Sequence, residues 1–453
     1  MLSAAAPATT TDHQLEPARA ASPDERKAAP GRSKSRKRRS RSRKAQALRQ
    51  PGQIVANGVA ATIEARDNSR SPAEAVSSTT DRQPATAPRQ SSSSDPLYAA
   101  LDLGTNNCRL LIAAPTRPGQ FRVVDAFSRI VRLGEGLGAS GRLSDAAMDR
   151  AVEALKVCAG KLADRKIRRG RLIATEACRI ASNGEAFLAR VKRETGLDLE
   201  IVNRETEARL AVSGCSSLVE RETDSVVLFD IGGGSSEIAV IDLCSSQRSN
   251  HLAHHIKAWT SLPVGVVTLS ERFGGRDVTR ETFTSMVGAV DQMLQTFLAP
   301  QLPGMNGCAR GRFHLLGTSG TVTTLAGVYL DLPRYDRRRV DGLWLSSTDV
   351  DAMLEKILSW DFQERSANPC IGADRADLVL AGCAILEAIR KRWPSERMRV
   401  ADRGLREGLL TEMMAADGAW RRSRGRARHP AMSRARDRTP HHELTAPDAK
   451  DRP

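Results

Sequence analysis

The chain has 453 residues and a net charge of +16, a length that allows two or three domains of ordinary size and a sizeable core. The basic excess sits mostly at the ends, with 17 Lys/Arg against 9 Asp/Glu in residues 1–96 and 10 against 5 in residues 417–453, which argues against a folded body with a nucleic-acid-binding face. Eight cysteines without a CxxC pair argue against a zinc or disulfide scaffold, and no apolar run approaches the roughly 18 residues of a membrane span. The expectation is a soluble, cytoplasmic protein in a reducing compartment, with no membrane partner.

Residues 1–95 are rich in Ala, Pro, Ser, Thr and Arg and have almost nothing to bury, which predicts a disordered basic N-terminal tail. Within it Gly31–Lys44, GRSKSRKRRSRSRK, is a solvated run whose composition also suits contacts with polyanions. Residues 417–453 repeat the theme as an Arg-rich tail. Between the tails the apolar period switches repeatedly from two to about 3.6. Strands are predicted at Tyr98–Leu103, Arg109–Ala114 and Phe121–Val131. A helix follows at Ser144–Arg165 with Ser144 as N-cap, then a strand at Arg171–Ala174 and a helix at Asn183–Thr195 ended by Gly196. A strand at Leu199–Val202 and a helix at Glu205–Ser216 complete a first α/β domain over 96–224. A second, over 225–416, is predicted to hold strands at Ser225–Ile231, Glu237–Asp242, Leu262–Val266 and Phe313–Leu316. Its helices are expected through Met286–Leu298, from Val322 onward, near Asp349–Leu358 and at Asp374–Lys391. The fold class is α/β.

Two segments carry the chemistry. Ala99–Arg109 reads AALDLGTNNCR and Val227–Glu237 reads VLFDIGGGSSE. Each runs from an apolar strand through Asp, an apolar residue and Gly into a small polar loop and a second strand. Glycine frees such a turn to take φ > 0, and successive N–H groups can converge on an anion. The recurrence implies an internal duplication with a cleft between the halves, where one phosphate chain is held from both sides. Asp102 and Asp230 end buried strands beside the loops, and carboxylates at a phosphate site are usually there for Mg²⁺, a hard cation that takes oxygen ligands.

In order along the chain, DLGTNNCRLL at 102–111, ATEACRIASNG at 174–184, EARL at 207–210, DIGGGSSE at 230–237, LPVGVVTLSERF at 262–273, GTSGTVTTLA at 317–326, RADLVLAGCAIL at 375–386 and DRGLREGLL at 402–410 resemble the exopolyphosphatase and guanosine pentaphosphate phosphohydrolase family. The resemblance covers about residues 97 to 414 and implies the duplicated actin-like, sugar-kinase-like fold. It implies that Glu207 positions or deprotonates the attacking water, that Thr105, Asn106, Asn107 and Arg109, with Gly104, hold one phosphate, and that Gly232, Gly233, Gly234, Ser235 and Ser236 hold another. Arg179 joins the phosphate-binding set, and Asp102, Asp230 and Glu237 are the expected Mg²⁺ ligands. Glu176 is set aside as a helix-start acid paired with Arg179. The chain departs from the family pattern at Thr105 and Cys108, where Ser and an aromatic are frequent, and at Asp341, where His is frequent.

The expected activity is release of terminal phosphate from inorganic polyphosphate by Mg²⁺-assisted attack of water. The alternatives are a guanosine pentaphosphate 5′-phosphohydrolase using the same machinery, or a non-hydrolytic module that binds polyphosphate or the nucleotide. Assembly as a homodimer and contacts of the basic tails with polyanions are left open.

Overall fold

The computed structural model describes residues 95–244, 251–302 and 312–420; the expected tail segments 1–94 and 421–453 lie outside them. Strands β1 (Leu97–Leu103), β2 (Asn107–Pro115) and β3 (Phe121–Ile130) form an antiparallel meander, and β4 (Ile167–Ala174) and β5 (Glu200–Ile201) add in parallel on the other side of β1. The order is β3-β2-β1-β4-β5. The second sheet repeats it. There β6 (Ser225–Ile231), β7 (Ser236–Asp242) and β8 (Ile256–Leu262) form the meander, and β9 (Phe313–Thr318) lies parallel to β6. Outside β9 come, in chain order, β10 (Trp344–Ser346) and β11 (Arg397–Ala401), β11 parallel to β9 and β10 antiparallel at the edge. The order β10-β11-β9-β6-β7-β8 contains the same five-strand pattern with the same strand senses, plus one edge strand. The protein is a duplicated, actin-like α/β fold.

The first strand of each sheet is almost uniformly apolar because both of its faces are covered. Along β1, Ala99, Leu101 and Leu103 enter one core while Tyr98 and Ala100 enter another; along β6, Val227, Phe229 and Ile231 are divided from Val226 and Leu228 in the same way. On the first sheet the outer face is covered by α1 (Asp145–Ala163), with the short α2 (Glu176–Ile180) and α3 (Gly184–Thr195). Ser144 caps α1 by accepting from the Ala147 N–H at 3.3 Å, and Gly196 ends α3 with φ 72°.

The inner faces exchange helices. Helix α4 (Arg204–Cys215), from the first half of the chain, sends Ala211, Val212 and Cys215 against Val226, Leu228 and Ala239 of the second sheet. After α5 (Val266–Phe273), α6 (Arg280–Gln295), α7 (Gly320–Tyr329), α8 (Ser347–Ser359) and α9 (Val379–Arg392), which build the outer core of the second sheet, the chain returns in α10 (Leu405–Ala416). Its Leu409, Leu410, Met413 and Met414 pack on Tyr98, Ala100 and Leu111 of the first sheet. The crossing of α4 and α10 depends on small residues: a Cβ at Gly408 would stand 2.1 Å from the Leu210 carbonyl oxygen, and one at Gly214 1.9 Å from that of Gly404.

Three local expectations shift. The strand expected at Leu262–Val266 is instead the end of β8, a turn and the start of α5, because Pro263 has no N–H for a ladder and Gly265 is the helix N-cap. The helix expected from Asp374 begins at Val379. The ordered chain also runs past residue 417, where the C-terminal tail was set. Asp417 accepts from the Tyr98 hydroxyl and pairs with Arg168 and Arg169, all at 3.0 Å, and the Trp420 indole N–H donates to the Gln120 carbonyl at 3.0 Å. Six of the described cysteines are buried and Cys244 is exposed.

Candidate active site

The two hairpin loops are built alike. Gly104 N–H donates to the Asn107 carbonyl at 2.9 Å, and Gly232 N–H donates to the Ser235 carbonyl at 3.0 Å, so each loop closes with the same turn. Asp102 pairs with Arg109 across the first hairpin, and Asp230 with Glu237 across the second. The loops meet face to face: a Cβ at Gly233 would be 2.9 Å from Thr105 Cβ and 3.1 Å from the Asn106 nitrogen, and one at Gly234 would be 2.7 Å from Thr105 Oγ1. None of the four loop glycines has positive φ, which corrects the expectation of left-handed turns. At Gly233 and Gly234 glycine supplies clearance for Thr105 and Asn106 of the facing loop; at Gly104 a Cβ would meet nothing nearer than 3.5 Å.

Between and beside the loops lies a cavity of about 130 Å³. Its wall includes Asp102, Gly104, Thr105, Asn106, Asn107 and Arg109 from the first hairpin, Asp230, Gly232, Gly233, Gly234, Ser235 and Glu237 from the second, and Glu207 from α4. Among the described residues the N–H groups of Thr105, Asn106, Gly233 and Gly234 donate to no protein acceptor, and the side-chain oxygens of Asn106 and Asn107 are buried without a partner. Buried polar groups are rarely left this way; the unbonded N–H groups are donors of the kind an oxyanion accepts from, whereas the two Asn oxygens are acceptors. Two expected phosphate contacts fall outside the wall. Ser236 is wholly buried and its hydroxyl donates to the Val264 carbonyl at 2.7 Å. Arg179 stands behind Glu207.

The acids are crowded and largely buried. Burial pushes the Glu207 carboxyl up to about 9, with the Glu237 charge adding to the rise and Arg179 opposing it. Burial and then Asp230 raise Glu237 to about 7, and burial raises Asp102 to about 6 against the pull of Arg109. Asp230 is also raised by burial, offset by a hydrogen bond from Ser319. Glu237 accepts from Ser235 at 2.8 Å and from Ser261 at 2.7 Å. Ser319, just before α7, holds φ 75°, a strained backbone for a non-glycine residue at a point that touches Asp230.

Glu207 is oriented by a chain of ion pairs. Arg179 donates to it at 2.8 Å and to Glu176 at 2.5 Å, and also bonds the Val202 carbonyl. Arg204 donates to the other oxygen of Glu176 at 2.6 Å. Glu176, only 3% exposed, lines the cavity as well as pairing with Arg179 as expected; its double role depends on α2 and α4 being adjacent, which no local pattern signals.

A second cavity, of about 530 Å³, shares Asp102, Arg109, Asp230, Ser319 and Arg375 with the first. Its wall adds Arg337, Arg403 and Arg406. Among the described residues, Arg109, Arg375 and Arg406 make no ion pair within 4.0 Å, whereas Arg403 is held by Asp341 and Arg337 by Glu407 at 2.7 Å. Asp341 thus orients an arginine of this wall. Ser319, Arg375 and Arg406 are site residues the sequence reading did not single out, although the quoted segments at 317–326, 375–386 and 402–410 contain them.

Among the described residues no group of three or more Asp, Glu, His or Cys side chains stands close enough to hold a metal ion, so Asp102, Asp230 and Glu237 do not form a protein-only cage. Mg²⁺ typically takes one or two carboxylates and completes its shell with water and substrate oxygens. An all-oxygen set of buried carboxylates with raised pKa values, in which Asp102 accepts no hydrogen bond among the described residues, fits an ion shared in that way.

The Ppx/GppA phosphatase family model matches residues 112–417. Two curated relatives, each named guanosine-5′-triphosphate,3′-diphosphate pyrophosphatase, are 29% identical: that of Aeromonas salmonicida over 70% of this chain and 59% of its own length, and that of Photobacterium profundum over 71% and 60%. The chain therefore spans about three fifths of the curated relatives it matches. Among solved structures, the Aquifex aeolicus Ppx/GppA family member matches with TM-score 0.59 and 27% identity over 71% of this chain and 98% of that one. An exopolyphosphatase from Cytophaga hutchinsonii matches with TM-score 0.62 and 25% identity over 71% and 98%. With the family model matching about two thirds of its length and the duplicated loops facing one acidic cavity, the chain belongs to the Ppx/GppA phosphatase family.

Proposed function

We propose that this chain is a hydrolase that removes the terminal 5′ phosphate of a guanosine pentaphosphate. The observation that carries the reading is the junction of two cavities. A small one is walled by both phosphate loops and Glu207, and a larger one is lined by five arginines, of which Arg109, Arg375 and Arg406 make no ion pair among the described residues. The small cavity suits a terminal phosphate. The larger falls within the range of small-molecule sites, with room for a nucleoside and cationic groups for a second phosphorylated position. The names of the curated relatives point to the same substrate.

The backbone N–H groups of Thr105, Asn106, Gly233 and Gly234 hold the terminal phosphate from two sides, and Arg109 neutralises it from the first hairpin. Glu207 takes a proton from a water placed in line with the terminal phosphorus; a new oxygen–phosphorus bond forms as the bridging bond breaks, and the leaving phosphate keeps the bonding electrons. Arg179 fixes the Glu207 rotamer. Catalysis on this account is mostly positioning and electrostatic stabilisation. Asp102, with Asp230 or Glu237, would hold Mg²⁺, which when bound neutralises charge on the phosphoryl oxygens.

Inorganic polyphosphate is the second reading, favoured by the same arginines of the larger cavity, which would pair equally well with further phosphates. Phosphate release from guanosine pentaphosphate and from medium-length polyphosphate, measured side by side with and without Mg²⁺, separates them. A kcat/KM at least tenfold higher for polyphosphate would overturn the nucleotide reading, and release from neither would overturn the hydrolase.

A further inference from the structure

Arg132 and Asp377 lie 245 positions apart and meet as a fork on a fork, with both nitrogen–oxygen distances 2.8 Å; a third bond runs from Arg132 to the Asp374 carbonyl at 3.0 Å. Arg132 holds φ 47°, one of three non-glycine residues with positive φ among those described. Such a backbone persists only where its surroundings over-determine it. They do so here. The N–H groups of Val131 and Arg132 both donate to the Asn106 carbonyl, at 2.9 and 3.0 Å, and Gly134 N–H donates to the Thr105 carbonyl at 2.9 Å. Arg150 holds the Val131 carbonyl from behind at 2.9 Å. The segment bearing Arg132 is therefore the backing of the first phosphate loop.

Asp377 belongs to a segment with equal reach into the site. Arg375 lines both cavities, and Leu378 and Val379 line the smaller one. The Asp377 carbonyl accepts from Ser270 at 2.8 Å, and the next residue on that helix, Glu271, accepts from Gly136 N–H at 2.8 Å. Two bridges thus join the backing of the first loop to the segment that carries Arg375.

We propose that the Arg132–Asp377 pair is a positioning clasp that sets the first phosphate loop and Arg375 at a fixed separation for one phosphate chain. Neither side chain lines either cavity, so both act through Asn106 and Arg375. At 30% and 27% exposure the pair is partly shielded, and a bidentate charge-assisted bond there is stronger than an open surface pair. The proposal rests on the reading that the site receives a phosphate chain, and its test is built to fail separately from that reading.

The test compares wild type, Arg132→Lys, Asp377→Asn and the double variant, each checked for folding by circular dichroism. Equilibrium binding of inorganic tripolyphosphate is measured first, then KM and kcat for guanosine pentaphosphate. Each single variant should weaken tripolyphosphate binding and raise KM by about tenfold or more, with kcat within about threefold of wild type. The double variant should be no worse than the weaker single one, because both changes remove one interaction. Wild-type affinity in both single variants, losses that multiply in the double variant, or a fall confined to kcat would overturn the clasp. A wild-type protein that binds tripolyphosphate but hydrolyses nothing would remove the function reading and leave the binding comparison to decide the clasp.

Discussion

Arg179 and Glu207 are joined by a 2.8 Å charge-assisted bond, and the same guanidinium nitrogen also reaches Glu176. The cation thus sits between two buried acids, one facing the reacting water in the proposed mechanism and one anchored by Arg204. Glu207→Gln keeps the size of the side chain and removes its capacity to take a proton. The expected outcome is a fall in kcat of about 10²–10⁴-fold with equilibrium binding changed by less than about tenfold. Single-turnover phosphate release and binding on one preparation check both parts, and wild-type turnover would discard Glu207 as the base.

The raised acids also predict a pH profile. A base must be unprotonated to act, and burial has pushed Glu207 to about 9 in the ligand-free protein. In kcat/KM, which reports the free enzyme, activity should climb as pH rises from 6 towards 9. Added Mg²⁺ should move that limb to lower pH, because a nearby positive charge favours the carboxylate. A profile flat across this range at low Mg²⁺ would count against the assignment.

Stability should run the other way. A carboxyl whose pKa is raised on folding, from 4.5 to about 9 for Glu207 and to about 7 for Glu237, binds its proton more tightly folded than unfolded. Its penalty is absent below the unfolded value and grows as pH rises towards the folded one. Chemical denaturation should therefore show wild type losing stability from pH 5 to 9 more steeply than Glu207→Gln. Parallel slopes for the two proteins would mean that Glu207 is not the group responsible.

The loop glycines separate into two kinds. Gly104→Ala adds a methyl in ordinary van der Waals contact, 3.5 Å from its nearest neighbour, whereas Gly233→Ala meets Thr105 Cβ at 2.9 Å. Overpacking typically costs about 1–3 kcal/mol, so Gly233→Ala should raise KM by about tenfold or more, and Gly104→Ala by less than about threefold. Equal kinetics for the two variants would mean that the facing loops tolerate displacement.

The hairpins were legible because a short Asp-x-Gly pattern between apolar runs recurs at 102–104 and 230–232, and a repeated local pattern reports a repeated local structure. The caps at Ser144 and Gly196 were legible because a cap is set by one residue at a helix end. What the sequence did not display depends on distant segments meeting. The double role of Glu176 needs α2 beside α4, and the strained Ser319 needs Asp230 to hold it. The change from β8 to α5 was misplaced because Leu262–Val266 is uniformly apolar apart from Pro263 and Gly265, the two residues that carry the break.

The exchange of α4 and α10 has a consequence for how the chain is made. The inner face of the first sheet, with Tyr98, Ala100 and Leu111, is covered by residues from 405–416, which leave the ribosome some 300 residues after β1 (Leu97–Leu103). Until then its first half has strands, an outer helical layer and only Val202 and Leu210 to set against the inner surface, and cannot complete its core. Contacts of such long sequence separation slow folding and leave apolar surface open to aggregation meanwhile. Truncations that end before residue 405 should therefore accumulate as chaperone-bound or insoluble chains, because the last helix among the described residues completes the core that their first strand begins.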